Sequence, residues 1–181
     1  MAQKFDAISD KLKRFIEDQK IFFVATAAAD GRVNLSPKGM NSLRIISPNR
    51  VLWLNVTGSG NETAAHVLEN PRMTLMFCSF AGDPLILKIY GKAKAALPGG
   101  REWDKLYRLF EPLPGARQIF DLTVELALTS CGMGVPCFEY AGDRNQLINW
   151  AKKKGDNGIK EYWINNNQVS IDGKPTGFLK K

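Results

Sequence analysis

The sequence predicts a mainly β protein with helices inserted between strands, an N-terminal helix and a more helical C-terminal region. Two observations carry this. Apolar segments four to twelve residues long recur through the first hundred residues, and short turn signals such as Asp30-Gly31 and Pro48-Asn49 join them. Strands that follow one another through hairpins pair antiparallel, which gives a barrel or a sandwich and not a doubly wound parallel sheet.

Residues 6–19, DAISDKLKRFIEDQ, place Ile8, Leu12, Phe15 and Ile16 at helical spacing with charges elsewhere, the pattern of an amphipathic first helix. IFFVATAAADGRVNLSPKG reads as two strands around Asp30-Gly31, and SLRIISPNRVLWLNV as a second pair turning at Pro48-Asn49. A helix over 62–69 follows and stops at Asn70-Pro71. RMTLMFCSF and PLILKIYGKAKAAL are two further strands, the second bounded by Pro98-Gly99-Gly100. Beyond them REWDKLYRLF, ARQIFDLTVELALTS and RNQLINWAKKKG read as helices, the last ended by Gly155. CGMGVPCFEY carries too much glycine and proline for a helix interior, and KEYWINNNQVSIDGKPTG is turn-rich with a short strand.

With 181 residues and no linker or repeat, the chain is read as one domain over 1–181, its barrel core at about 20–97 and a helical and loop region over 98–181. No apolar run reaches the roughly 20 residues of a membrane helix. The N-terminal stretch MAQKFDAISDKLKRF lacks the apolar core of a secretory signal, so a cytoplasmic protein is expected. The net charge of +7 raises a polyanion as partner, but residues 1–90 hold 11 Lys/Arg against 8 Asp/Glu and residues 91–181 hold 14 against 10. Only Lys152-Lys153-Lys154 forms a run, read as a solvated helix face, so nucleic acid is the weakest partner reading. Three cysteines with no CxxC pair fit a reduced compartment and are read as packed structural thiols. His66 is the sole histidine, which excludes multi-histidine metal sites and leaves any hard chemistry to a bound cofactor.

The stretch NVTGSGNETAAH, residues 55–66, is a glycine-softened loop feeding a helix start. Unpaired N–H groups and the positive end of the helix dipole suit such a place to an anion. On these residues alone the better reading is that Asn61 caps the helix and the glycines make the turn. Two lysines stand on strands nearby: Lys38 in NLSPKG, and Lys88 in ILKIYG, where it faces either solvent or an anion. Trp53, Trp103, Trp150 and Trp163 read as core or interface anchors.

The order of these elements resembles the pyridoxamine 5′-phosphate oxidase-like, FMN-binding split barrels over roughly residues 5–96, on GRVNLSPKG, GNETAAHVLENPRMTLMF and LKIYGKAKA. The resemblance implies an FMN-binding split β-barrel, assembled as a homodimer with the flavin at the subunit interface. Ser36, Pro37 and Lys38 would line the flavin, and Asn55 would lie beneath its ring. Asn61 and Thr63 would bind the ribityl phosphate at the helix N-terminus, with Lys88 completing the phosphate pocket. Two departures stand out. The oxidase proper has Ser-Arg-Lys where this chain reads Asn61-Glu62-Thr63, and its arginine-containing C-terminal segment is replaced by SIDGKPTGFLKK. The first leaves phosphate binding more to Lys38, Lys88 and neutral donors; on the second, pyridoxamine phosphate is not the expected substrate. The reading is an FMN-dependent oxidoreductase acting on a small molecule, with FMN against a deazaflavin left open. A flavin- or haem-carrying module without turnover is the alternative.

Overall fold

The computed structural model describes residues 2–178. Its elements are β1 (Gln3–Phe5), α1 (Asp10–Asp18), β2 (Phe22–Thr26), β3 (Asn34–Lys38), β4 (Leu43–Ser47), β5 (Arg50–Val56), α2 (Glu62–Glu69), β6 (Arg72–Cys78), β7 (Leu85–Ala96), α3 (Trp103–Tyr107), β8 (Ala116–Cys131) and α4 (Gln146–Asn166). One antiparallel sheet runs in the order β3-β2-β6-β7-β8-β5-β4, and β1 pairs with β8 beyond the end of β5. The sheet is not closed: β3 and β4 are its two edges, joined in sequence by the turn at 39–42. This is the mainly β, antiparallel arrangement that the hairpin pattern predicts, in the split-barrel form that the resemblance implies.

Strand periodicity decides what faces the interior. Phe22 and Val24, Leu75 and Phe77, Leu87 and Ile89, and Phe120 and Leu122 alternate inward and are buried together. Trp53 stacks on Phe120 with centroids 4.9 Å apart, and Phe22 on Phe77 at 5.8 Å. Leu12 and Ile16, one helical turn apart, add the apolar face of α1 to this core, and Ser9 starts that helix by accepting the Leu12 N–H. Ala64 and Val67 add the face of α2.

Residues 116–130, which read as a helix, form most of the sixteen-residue strand β8, so the sheet extends well past 97. The physical reason lies in its burial. Phe120 and Leu122 face the barrel interior, whereas Ile119 on the other face is covered with Leu52 and Leu54 by Trp103, Leu106 and Phe110. Burial on both faces blurs the strand pattern over 117–122, whereas 120–126, FDLTVEL, keeps the period-two alternation of a strand, which the helix reading passed over. The β7–β8 pairing carries a bulge at Tyr90/Gly91, where a Cβ on Gly91 would lie 2.0 Å from the Thr123 carbonyl oxygen.

The helix expected over REWDKLYRLF is only Trp103–Tyr107. Gly155 does end a helical stretch, with φ 63° and ψ 174°, but helix resumes after it to Asn166, through residues expected to be turn. Cys78 is buried as expected, but Cys131 and Cys137 are exposed. The Lys152–Lys154 run is exposed, and no helix among the described residues is long and apolar enough to cross a membrane.

Candidate functional site: a recess between edge strand β3 and the start of α2

Alternation along β3 turns Asn34, Ser36 and Lys38 inward, half-buried, while Leu35 and Pro37 face out. Beside them β5 presents Trp53 and Asn55, and the 58–61 loop leads into α2. These elements enclose a recess of ≈ 270 Å³ lined by Asn34, Ser36, Lys38, Trp53, Asn55, the 58–63 segment and Arg117. Five of the seven expected site residues, Ser36, Lys38, Asn55, Asn61 and Thr63, are thus brought together. Pro37 and Lys88 do not line it. Lys88 projects from the outer face of β7, between Met76 and Leu128 on the neighbouring strands.

Two cations meet in the recess. The Lys38 ammonium sits 5.2 Å from the Trp53 ring centroid. Burial, then the charge of Arg117, pulls its pKa down to about 8. Arg117, from β8, is 3% exposed; it donates from Nη1 to the Gly60 carbonyl at 2.9 Å and to Asn167 Oδ1 at 2.7 Å. Burial lowers its pKa to about 10. Its Nε is buried without a hydrogen-bond partner among the described residues, as is Asn61 Oδ1.

Asn61 occupies the N-cap position of α2 but its side chain does not cap the helix; its Nδ2 donates to the Asn167 carbonyl at 3.4 Å. Thr63 Oγ1 accepts from Asn34 Nδ2 at 3.1 Å, tying the helix to β3. Glu62 borders the recess, yet both its oxygens lie 3.1 Å from the Ile171 N–H, which turns the carboxylate toward the C-terminal segment. That segment also binds Arg32 through Asp172, while Lys174 reaches Asp30 at 2.5 Å and Glu69 at 2.7 Å. Those two carboxylates raise the Lys174 pKa to about 12. His66 is buried on the sheet side of α2, hydrogen-bonded to Thr26 at 3.1 Å, and does not line the recess.

Sequence reasoning missed Asn34 and Arg117. Asn34 was findable, since it shares the inward face of Ser36 and Lys38 at period two. Arg117 was not, because its segment reads as helix and its partners lie 50 and 57 residues away in sequence.

The profile of the pyridoxamine 5′-phosphate oxidase family matches residues 8–131. The pyridoxamine 5′-phosphate oxidase family protein ustO of Aspergillus flavus is 33% identical over 194 residues, which span 94% of this chain and 76% of that protein. Among solved structures, a variant of HupZ from Group A Streptococcus superposes with a TM-score of 0.55 at 19% identity, covering 68% of this chain and 99% of its own. A candidate pyridoxamine 5′-phosphate oxidase from Lactobacillus delbrueckii gives 0.54 at 16% identity, covering 68% and 94%. The two structures share the fold, and the sequence match is what assigns kinship: this chain belongs to the pyridoxamine 5′-phosphate oxidase family.

Proposed function

We propose that the protein is an FMN-binding flavoprotein, an oxidoreductase that handles a small-molecule substrate at the flavin and works as a homodimer. The observation that supports this best is the convergence of Lys38, Arg117 and the amino end of α2 on one recess whose single bordering carboxylate, Glu62, is engaged elsewhere. Desolvated cations and unpaired helix N–H groups favour an anion through charge-assisted hydrogen bonds. The orphaned Arg117 Nε and Asn61 Oδ1 are a donor and an acceptor of the kind a phosphorylated, hydroxyl-bearing ligand supplies partners for.

Bound flavin supplies two-electron transfer chemistry. The chain's own residues bind and orient it: Ser36 and Asn55 offer a hydroxyl and an amide along the wall, Lys38 a charge above Trp53, and Thr63 a hydroxyl fixed by Asn34. None of them is assigned a proton-transfer step. The segment SIDGKPTG, standing where the oxidase proper carries an arginine that grips the vitamin's phosphate, argues for a substrate other than pyridoxamine phosphate.

The homodimer is supported by the outer sheet face, where Leu35, Phe23, Met76, Ile86, Tyr90 and Leu128 project away from the core. Lys88 stands among them, so it would reach a flavin only across a subunit seam. A haem-carrying module held by histidine is disfavoured by His66, which is buried beside Thr26.

The decisive experiment is the visible spectrum of the purified protein after FMN addition and removal of excess by size exclusion. Retained flavin absorbance that a dithionite addition bleaches supports the reading; a colourless protein that releases all added FMN overturns it.

A further inference from the structure

A buried guanidinium without a carboxylate is an expensive arrangement, and Arg117 is one. Its hydrogen-bond partners, the Gly60 carbonyl and Asn167 Oδ1, are neutral, and its Nε has none among the described residues. It shares the recess with a like charge, Lys38, whose pKa its own charge helps to lower. Meanwhile the first turn of α2 carries no basic residue at 61–63. The cationic side chains of this recess therefore come from β8 and β3, while the helix whose N-terminus forms its wall contributes backbone N–H groups and no cationic side chain.

Asn167, just past the end of α4 and fully buried, holds this arrangement together. Its Oδ1 fixes the guanidinium at 2.7 Å, while its Nδ2 donates to the Gly58 and Ser59 carbonyls at 3.2 and 3.3 Å. Its backbone carbonyl accepts from Asn61 Nδ2 and, at 2.8 Å, from Thr176 Oγ1. One residue of the C-terminal segment thus sets both the glycine loop and the orientation of the cation beside it.

Resting on the flavin reading above, we propose that Arg117, oriented by Asn167, reads the phosphate of the bound flavin and makes the recess select the phosphorylated mononucleotide over the unphosphorylated flavin. Arg117 touches the anion; Asn167 is its positioning residue. The planar guanidinium matches a phosphate through several N–H donors, which the ammonium of Lys38 does not reproduce.

The test compares FMN with riboflavin by fluorescence titration of wild type, Arg117→Met, Arg117→Lys and Asn167→Asp. Wild type is expected to bind FMN at least about 100-fold more tightly than riboflavin, in line with charge-assisted hydrogen bonds to a buried group. Arg117→Met should bring the two affinities within severalfold by weakening FMN alone, and unchanged riboflavin binding certifies the fold of the variant. Arg117→Lys should keep part of the preference. Asn167→Asp places a carboxylate on the guanidinium and should erode the preference while Arg117 is still present. If Arg117→Met retains the wild-type ratio, or weakens both ligands equally, Arg117 does not read the phosphate and the proposal falls. If wild type binds both flavins equally well, the flavin reading stands and this inference is overturned. If wild type binds neither, both fall together.

Discussion

Both carboxylate oxygens of Glu62, the first residue of α2, lie 3.1 Å from the backbone N–H of Ile171, 109 residues further along the chain. A negative charge at a helix start favours the helix dipole but opposes an anion in the same place. Docking of the C-terminal turn resolves the conflict by giving that charge a donor outside the recess. Glu62→Gln should therefore loosen the turn and cost about 1 kcal/mol of stability, the scale of one hydrogen bond to a charged group at a half-exposed site. Amide hydrogen exchange at Ile171 should quicken in the variant. Unchanged exchange there would show that the carboxylate does not hold the turn.

Lys38 links stability to pH through its desolvated ammonium. Its folded pKa is about 8, below the ordinary value of 10.5. Between those two values the unfolded chain holds the extra proton, so this group makes stability rise with pH from about 8 to about 10.5. Below about 8 both states are protonated and the full penalty is present. Lys38→Met should stabilise the ligand-free protein at pH 7 by about 2 kcal/mol, the pKa displacement reduced for partial exposure, and should flatten that pH dependence. Urea unfolding at pH 7 and pH 10 measures both effects. The same variant should bind FMN more weakly, and wild-type affinity should fall as pH rises past about 8.

The outer sheet face gives a prediction about assembly. Leu128 lies opposite Lys88 in the β7–β8 register, on the face proposed to meet a second copy. Leu128→Lys should place two ammonium groups side by side there, where like charges are costly. Sedimentation is expected to show a dimer for wild type and a monomer for the variant. A wild-type monomer at micromolar concentration would remove the shared-seam arrangement.

Gly91 admits no side chain. Alanine there would drive a Cβ to 2.0 Å from the Thr123 carbonyl oxygen, a backbone atom of the neighbouring strand that cannot turn aside. Gly91→Ala should cost at least about 3 kcal/mol by forcing apart the β7–β8 pairing at its bulge. Thermal unfolding followed by circular dichroism measures it. A loss under about 1 kcal/mol would mean that the bulge absorbs the methyl group.

Local chemistry made much of this protein legible in advance. The strands β2 and β4 to β7 announce themselves by apolar runs between turns, β3 by the Asp30-Gly31 turn signal ahead of it, α1 by its Leu12 and Ile16 stripe, and α2 by its stop at Asn70-Pro71. Ser36, Lys38, Asn55, Asn61 and Thr63 could be named in advance because the resemblance to the flavin-binding split barrels implied them, and the alternation of β3 turns Ser36 and Lys38 to one face. β8 was legible in part: residues 120–126, FDLTVEL, alternate apolar and polar as a strand does, and only its start, within the stretch 117–122 buried on both faces, lacks that signal. Nothing local could reveal that Glu62 turns outward, that Lys88 stands on the far side of the sheet, or that Asn167 grips Arg117 across 50 residues. Periodicity is written into neighbouring residues and so survives in the sequence. Which charges end up facing one another depends on chain crossings and long-range docking, and the tertiary structure alone decided that.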